Sequence, residues 1–269
     1  MKRWLMIVLL LGLVASQPVQ AEEFSVANEM QGLGARLQAE VADAVTTPFT
    51  VKDGNLFWTL GLAGAIGLTY AYDDDIRDHL QGGTRSSGLD RLTDFGSLAG
   101  SPYLHLGVAA LVYGAGSAAE SPKWKETGEM LGEALLLADG ATLLIKQAVG
   151  RGRPDTASHN DDFRPLQFKS EYDSFPSMHT ASSFAMASVI ARSSDSLPVA
   201  VLSYTAATFV GFSRLHQNRH WASDVLLAAA IGELAGRVVT AHHADESRRL
   251  VILPMISGES VTMNLGYRF

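Results

Sequence analysis

The feature that most limits what this chain can fold into is a succession of apolar stretches of helical length, rich in alanine, glycine and leucine. Asn55 to Tyr72 carries no charged residue, and neither does Tyr103 to Ala119. Gly128 to Val149 carries only Glu129, Glu133, Asp139 and Lys146. His179 to Ala191, Leu197 to Phe212 and Trp221 to Thr240 complete the set. Runs of this length read as helices rather than strands. Small residues at this density let helices approach closely, as they do in membrane bundles. The expectation is an all-α fold: an antiparallel bundle of about six helices, with the active site at one end. Several stretches reach the short edge of a membrane span, while the mean hydropathy is only +0.10. A membrane bundle and a soluble bundle both remain open.

The two ends of the chain read differently. Lys2 and Arg3 precede an unbroken apolar run from Trp4 to Ala15, and Val19-Gln20-Ala21 has small residues where a signal peptidase reads. Residues 1–21 are therefore expected to be a signal peptide. The processed chain would start at Glu22 and sit in the bacterial envelope, either free in the periplasm or in the membrane with its site facing the periplasm. Residues 22–54 read as an amphipathic helix and a linker ending near Pro48, and residues 55–245 as the helical domain. In the tail, 248–269, Val261, Met263, Leu265, Tyr267 and Phe269 alternate with Thr262, Asn264, Gly266 and Arg268. That period predicts a short β-hairpin around Gly258-Glu259. Two strands cannot close a barrel, so the hairpin is expected to pack on the bundle or on a second subunit.

Composition removes several classes of function. The chain has 269 residues, 47% hydrophobic and 18% charged, with no cysteine. A disordered chain, a disulfide scaffold, a thiolate metal site and a cysteine nucleophile are excluded. The net charge of −7 argues against nucleic acid as a partner.

Three polar clusters interrupt the apolar pattern. The first runs from Lys146 through Gly150, Arg151 and Gly152 to Arg153-Pro154. Alone, it reads as a helix C-terminus capped by basic residues. The second is Ser174-Phe175-Pro176-Ser177-Met178-His179-Thr180, which alone is an ordinary N-cap. The third is Ser213-Arg214, then His216, Arg219, His220 and Asp224. His220 and Asp224 are four apart and would share a helix face. In an up-down bundle, the helix from 128 delivers Lys146 to one end and the helix from 177 leaves that same end with Ser177 and His179. The helix from 198 returns with Arg214, and the helix from 220 leaves with His220 and Asp224. Cations and helix-start N–H groups then converge into an anion site beside two histidines. Such a site suggests a nucleophile and a general acid.

These clusters resemble the signature of the type 2 phosphatidic acid phosphatase superfamily, which also holds the bacterial class A acid phosphatases and the vanadium haloperoxidases. The pattern is lysine, six residues, Arg-Pro; then Pro-Ser-Gly-His; then Ser-Arg, five residues, His, three residues, Asp. All three spacings agree here. The family glycine is replaced by Met178, whose N–H still faces a phosphate provided its φ is negative. The resemblance implies a phosphatase needing neither metal nor cofactor. Lys146, Arg153, Ser177, the Met178 N–H and Arg214 would hold the phosphoryl oxygens. His220 would attack phosphorus, Asp224 would accept from its other ring nitrogen, and His179 would protonate the leaving group. The substrate implied is a phosphate monoester or pyrophosphate, most naturally of a lipid, with membrane association. A soluble periplasmic non-specific acid phosphatase, a vanadate-dependent haloperoxidase and a non-catalytic phosphate-binding protein are the rival readings.

Other residues carry weaker expectations. His216 stands four before His220 without an evident third metal ligand nearby. Asp73-Asp74-Asp75 reads as a solvated helix end, with cation binding as the alternative, and His242-His243 as surface. Arg151 and Arg219 flank the site and are candidates to assist with phosphate. Glu133 and Asp139, inside an apolar helix, should face its interior or a partner charge.

Overall fold

In the computed structural model the described residues are 26–83, 86–247, 250–257 and 260–267. The expected signal peptide and its cleavage point after Ala21 lie outside them. The chain divides into two compact units, Met1–Arg36 and Leu37–Phe269, and every residue of the three polar clusters is in the second. Among the described residues there are nine α-helices: α1 (Val26–Thr46), α2 (Asn55–Ala71), α3 (Asp73–Gly82), α4 (Ser87–Ala99), α5 (Pro102–Ala118), α6 (Pro122–Val149), α7 (Met178–Ser194), α8 (Leu197–His216) and α9 (Ala222–Ser247). Two strands, β1 (Leu250–Ser257) and β2 (Ser260–Tyr267), run antiparallel with Leu250 opposite Tyr267.

Each of the six apolar stretches matches a helix to within one residue at its ends or lies inside it: α2, α5, α6, α7, α8 and α9. Two helices were not expected. α3 opens on Asp73-Asp74-Asp75 and is polar apart from Ile76 and Leu80, two residues that are too few to reveal a helix by apolar periodicity. α4 is set by a side-chain cap, the Ser86 hydroxyl accepting from the Leu89 N–H at 3.2 Å. Prolines Pro102 and Pro122 start α5 and α6, where their missing N–H is not needed. α6 stops where Gly150 takes a left-handed φ of 61°. A Cβ there would lie 1.9 Å from the Arg164 carbonyl oxygen, so only glycine fits.

α7 lies at the centre, packed against α6, α8 and α9. Its buried face is Ala181, Ala185 and Val189, which meet Ala134, Leu135 and Ala138 of α6 and Ala228, Ala235 and Val239 of α9. The four-residue spacing is that of one helical face. Burying alanines brings backbones together: a Cβ at Gly232 of α9 would stand 2.2 Å from the Ala181 carbonyl oxygen. This close packing fixes the relative height of α7 and α9, whose first turns carry His179 and Asp224.

Outward faces of several helices are apolar. On α2, Phe57 and Trp58 are 70% and 77% exposed, and on α5, Tyr103 and Leu111 are 87% and 74% exposed. Leu144 of α6 and Leu202 of α8 continue the pattern. By length and composition Ala222–Asp245 could cross a membrane alone, and α4 with α5, bent by 52°, could do so as a pair.

Candidate active site

The three clusters meet at the C-terminal ends of α6 and α8 and the N-terminal ends of α7 and α9. Lys146 stands in the last turn of α6, buried, with its ammonium donating to the Asp173 carbonyl. Arg153 is held by Asp173, Nη2 to Oδ1 at 2.6 Å, and by the Ser170 carbonyl, accepting from Nε at 2.8 Å. Arg214, in the last turn of α8, donates to the Ser97 hydroxyl and, at 2.8 Å, to Gln217 Oε1. Its buried Nε has no hydrogen-bond acceptor among the described residues. A guanidinium with one orphaned buried donor is suited to receive an anion.

Opposite the cations stands the start of α7. Ser177 is its N-cap residue and is fully buried; its hydroxyl accepts from Thr180 Oγ1 at 3.0 Å. The first helical hydrogen bond is from the Ala181 N–H to the Ser177 carbonyl, leaving the N–H groups of Met178, His179 and Thr180 outside the helical ladder. Met178, the first residue of α7, is not among the residues with positive φ, so the missing glycine leaves an ordinary helix start.

Both histidines feel all three cations. Burial, reinforced by Arg214, Lys146 and Arg153, pushes His179 down to about 3. Burial and the same three cations hold His220 well below the usual imidazole value. Burial pushes the Lys146 ammonium down to about 8, against the pull of Asp173. Burial first, then Arg153 and Arg219, lowers Arg214 to about 10. Three cations held close together repel one another and keep both imidazoles neutral, and an arriving anion offsets that charge.

One expected contact differs. His220 Nδ1 lies 2.6 Å from the Ser174 carbonyl oxygen but 3.6 Å from Asp224 Oδ2. A carbonyl only accepts, so Nδ1 carries the proton and Nε2 keeps its lone pair. Asp224 therefore does not take the ring proton directly. Its Oδ2 accepts from the Ser174 hydroxyl at 2.5 Å and from the Trp221 N–H at 2.9 Å. The carboxylate holds the hydroxyl of Ser174, whose carbonyl fixes the ring, and the backbone N–H of Trp221, the residue after His220.

Arg151 was a candidate for phosphate, but its position assigns it elsewhere. It is 1% exposed and turned away from the phosphate site: Nη1 donates to Asp224 Oδ1 at 2.6 Å and to Ser223 Oγ at 2.8 Å, Nη2 to Asp73 Oδ2 at 2.8 Å, and Nε to the Asn160 carbonyl at 2.9 Å. Its guanidinium lies over Tyr70 and Trp221, 4.9 and 5.2 Å from the ring centroids. Asp73, expected in solvent, is buried and also accepts from the Ser223 N–H at 2.9 Å and its hydroxyl at 2.5 Å. Arg219 pairs at 2.8 Å with Asp155 at the rim, and His216 Nε2 lies 2.9 Å from Asp90 Oδ1. His243, expected at the surface, is buried against Glu133, away from this site. Sequence reading assigned no role to Asp73, Ser97, Asp173 or Ser174. Asp73 was visible as part of the acidic run and Ser174 as the first residue of the second cluster, while Ser97 and Asp173 had no signal.

Comparison with known proteins identifies the family and the fold. Residues 130–248 match the family model described as the PAP2 superfamily. The chain is 33% identical over 186 residues to a lipid A 1-phosphatase of Porphyromonas gingivalis, an alignment covering 67% of this chain and 37% of that protein. The chain thus spans little more than a third of that relative's length. LpxE of Aquifex aeolicus shares the fold with a TM-score of 0.52 at 22% identity, covering 63% of this chain and 94% of LpxE. A transmembrane PAP2-type phosphatidylglycerolphosphate phosphatase of Bacillus subtilis does so with a TM-score of 0.53 at 23% identity, covering 74% of this chain and 97% of that one. The segment 130–248, which carries Lys146, Arg153, Ser177, His179, Arg214, His220 and Asp224 together, belongs to the PAP2 superfamily.

Proposed function

We propose that this chain is a phosphatase of lipid phosphate esters in the bacterial envelope, working through a phosphohistidine without a catalytic metal. One observation carries the reading: His220 is buried with Nδ1 protonated onto the Ser174 carbonyl, beside Lys146, Arg153 and Arg214. The free Nε2 attacks phosphorus while the three cations and the first N–H groups of α7 hold the nonbridging oxygens. The N–P bond forms as the P–O bond to the leaving group breaks. The bound phosphate offsets the charge that depresses His179, so its imidazole takes up a proton in the complex and passes it to the departing alkoxide. His179 then removes a proton from the water that attacks the phosphohistidine, releasing inorganic phosphate. Side chains supply all of the positive charge this scheme needs.

The exposed apolar faces of α2, α5 and α8 favour a lipid over a soluble ester, because they suit a bundle embedded in a membrane with its site at the helix ends, facing the periplasm. The name of the Porphyromonas gingivalis relative is in keeping with a phosphate carried on a lipid. The six expected helices form the bundle in this reading, and the C-terminal hairpin lies outside it.

Phosphate release is measured in detergent from lipid A, phosphatidylglycerolphosphate, phosphatidate and soluble p-nitrophenyl phosphate, with vanadate-dependent bromination assayed on the same sample. At least one lipid is expected to exceed the soluble ester in kcat/KM. Bromination without phosphate release would overturn the reading in favour of a haloperoxidase, and neither activity would favour simple phosphate binding.

The pH profile follows from Lys146. Below about 8 its ammonium is charged and grips phosphate; above that it loses its proton. The kcat/KM value, which reports the free enzyme, is therefore expected to fall about tenfold per pH unit on the alkaline side. Lys146→Arg, which cannot deprotonate in this range, lowers the rate but removes that limb. An unchanged limb in Lys146→Arg would assign it to another group.

A further inference from the structure

We propose that Glu40, Glu133 and His243 form a binding site for one divalent ion of the zinc class. The three come from α1, α6 and α9 and are buried, at 0%, 1% and 6% exposure. One ligand atom of each lies within 4.8 Å of the other two. Donors bonded to a tetrahedral zinc stand about 3.4 Å apart, from bond lengths near 2.1 Å, so the His243–Glu133 pair opens from 2.6 Å while the trio as a whole stays within the 4.8 Å it already spans.

The second observation is the imidazole's outer partner. His243 Nε2 lies 2.6 Å from Glu133 Oε2, on the inner side of the cluster. Nδ1 faces the opposite way, 3.5 Å from Oε1 of Glu126, a half-exposed carboxylate about two helical turns before Glu133 on α6. An imidazole with its inner nitrogen on an ion and its outer N–H on a carboxylate is the recurrent arrangement of metal-bound histidine. The ion replaces the proton shared between Nε2 and Glu133, so binding releases a proton and weakens as pH falls. A divalent charge balances both inner carboxylates at once and leaves the imidazole neutral. A cleft of about 880 Å³, lined in part by Asp43, Glu126, Thr127 and His243, gives an entry path and room for a water as fourth ligand.

This site is separate from the phosphate site. Glu133 precedes Lys146 by 13 residues on α6, or roughly 20 Å at 1.5 Å per residue. Its ion would tie α1 to α6 and α9 and take no part in phosphoryl transfer.

The test uses the full chain in detergent, stripped with chelator and titrated with zinc chloride by calorimetry and thermal unfolding. One saturable zinc per chain is expected, with a rise in the thermal midpoint. Glu126→Gln, at a half-exposed position outside the core, is expected to weaken zinc about 10–100-fold without changing phosphatase activity. His243→Asn is expected to abolish the saturable binding. Should stripping or His243→Asn unfold the protein, metal content of the chain as purified and the Glu126→Gln titration decide the matter. Zinc at less than about a tenth of an equivalent as purified, or no saturation at micromolar concentrations of the kind sensor sites reach, overturns the proposal. Equal zinc affinity in the wild type and Glu126→Gln overturns it as well, placing any bound zinc elsewhere.

Discussion

His220→Ala is expected to lower phosphate release by at least about 10⁴-fold on every substrate, the scale on which a nucleophile's removal disables an enzyme whose remaining groups still bind and polarise. Nothing else in the site can substitute. His179 is the other imidazole, but it stands in the first turn of α7, and the Ser174 carbonyl that sets the ring tautomer belongs to His220. The lesion is chemical rather than structural, so vanadate or inorganic phosphate should still bind the variant through Lys146, Arg153 and Arg214, and its thermal midpoint should stay close to that of the wild type. His179→Ala should differ in kind. A general acid contributes roughly 10²–10⁴-fold when the leaving group is a poor one. The loss should thus be large on a lipid alkyl phosphate and much smaller on p-nitrophenyl phosphate. Equal losses on both esters would remove His179 from the acid role. Residual turnover in His220→Ala comparable with the wild type would remove His220 from the nucleophile role.

What the sequence made legible was local. The six long apolar stretches announce themselves because alanine, glycine and leucine fill them with few charges or none. Lys146 and Arg153, or His220 and Asp224, are visible as pairs because a fixed spacing within one segment carries their meaning. Their convergence at one end follows from short connections alone. What stayed hidden depends on contacts across long separations. Ser97 meets Arg214 and Asp73 meets Arg151 across 117 and 78 residues, and neither residue type is unusual where it stands. The Ser174 carbonyl is less visible still, because every residue has one. Burial was equally unreadable for Asp73 and His243, each beside polar neighbours that suggest solvent. Conversely, the outward faces of α2 and α5 are apolar enough in sequence to pass for core, and only the packing shows them to be exposed.

The hidden group with the largest expected effect is Asp73. It shares the Arg151 guanidinium with Asp224 and also holds both the N–H and the hydroxyl of Ser223, in the first turn of α9. Asp73→Ala removes one of two carboxylates from a fully buried guanidinium and strands two donors of Ser223. Breaking a buried ion pair from one side costs about 3–5 kcal/mol, mostly through the charge left behind. A fall of that size is expected in denaturant or thermal unfolding. The consequence for catalysis is more specific. Arg151 anchors Asp224, Asp224 anchors Ser174, and the Ser174 carbonyl holds the His220 ring. Lys146, Arg153 and Arg214 stand outside this chain of contacts, so phosphate affinity should change little while kcat falls. Asp73→Asn keeps an acceptor for Ser223 and Arg151 and should recover part of both losses. A variant that loses stability but keeps kcat would make Asp73 purely structural. A fall in kcat without loss of phosphate binding, partly restored by asparagine, would establish it as the distant positioning residue of the nucleophile.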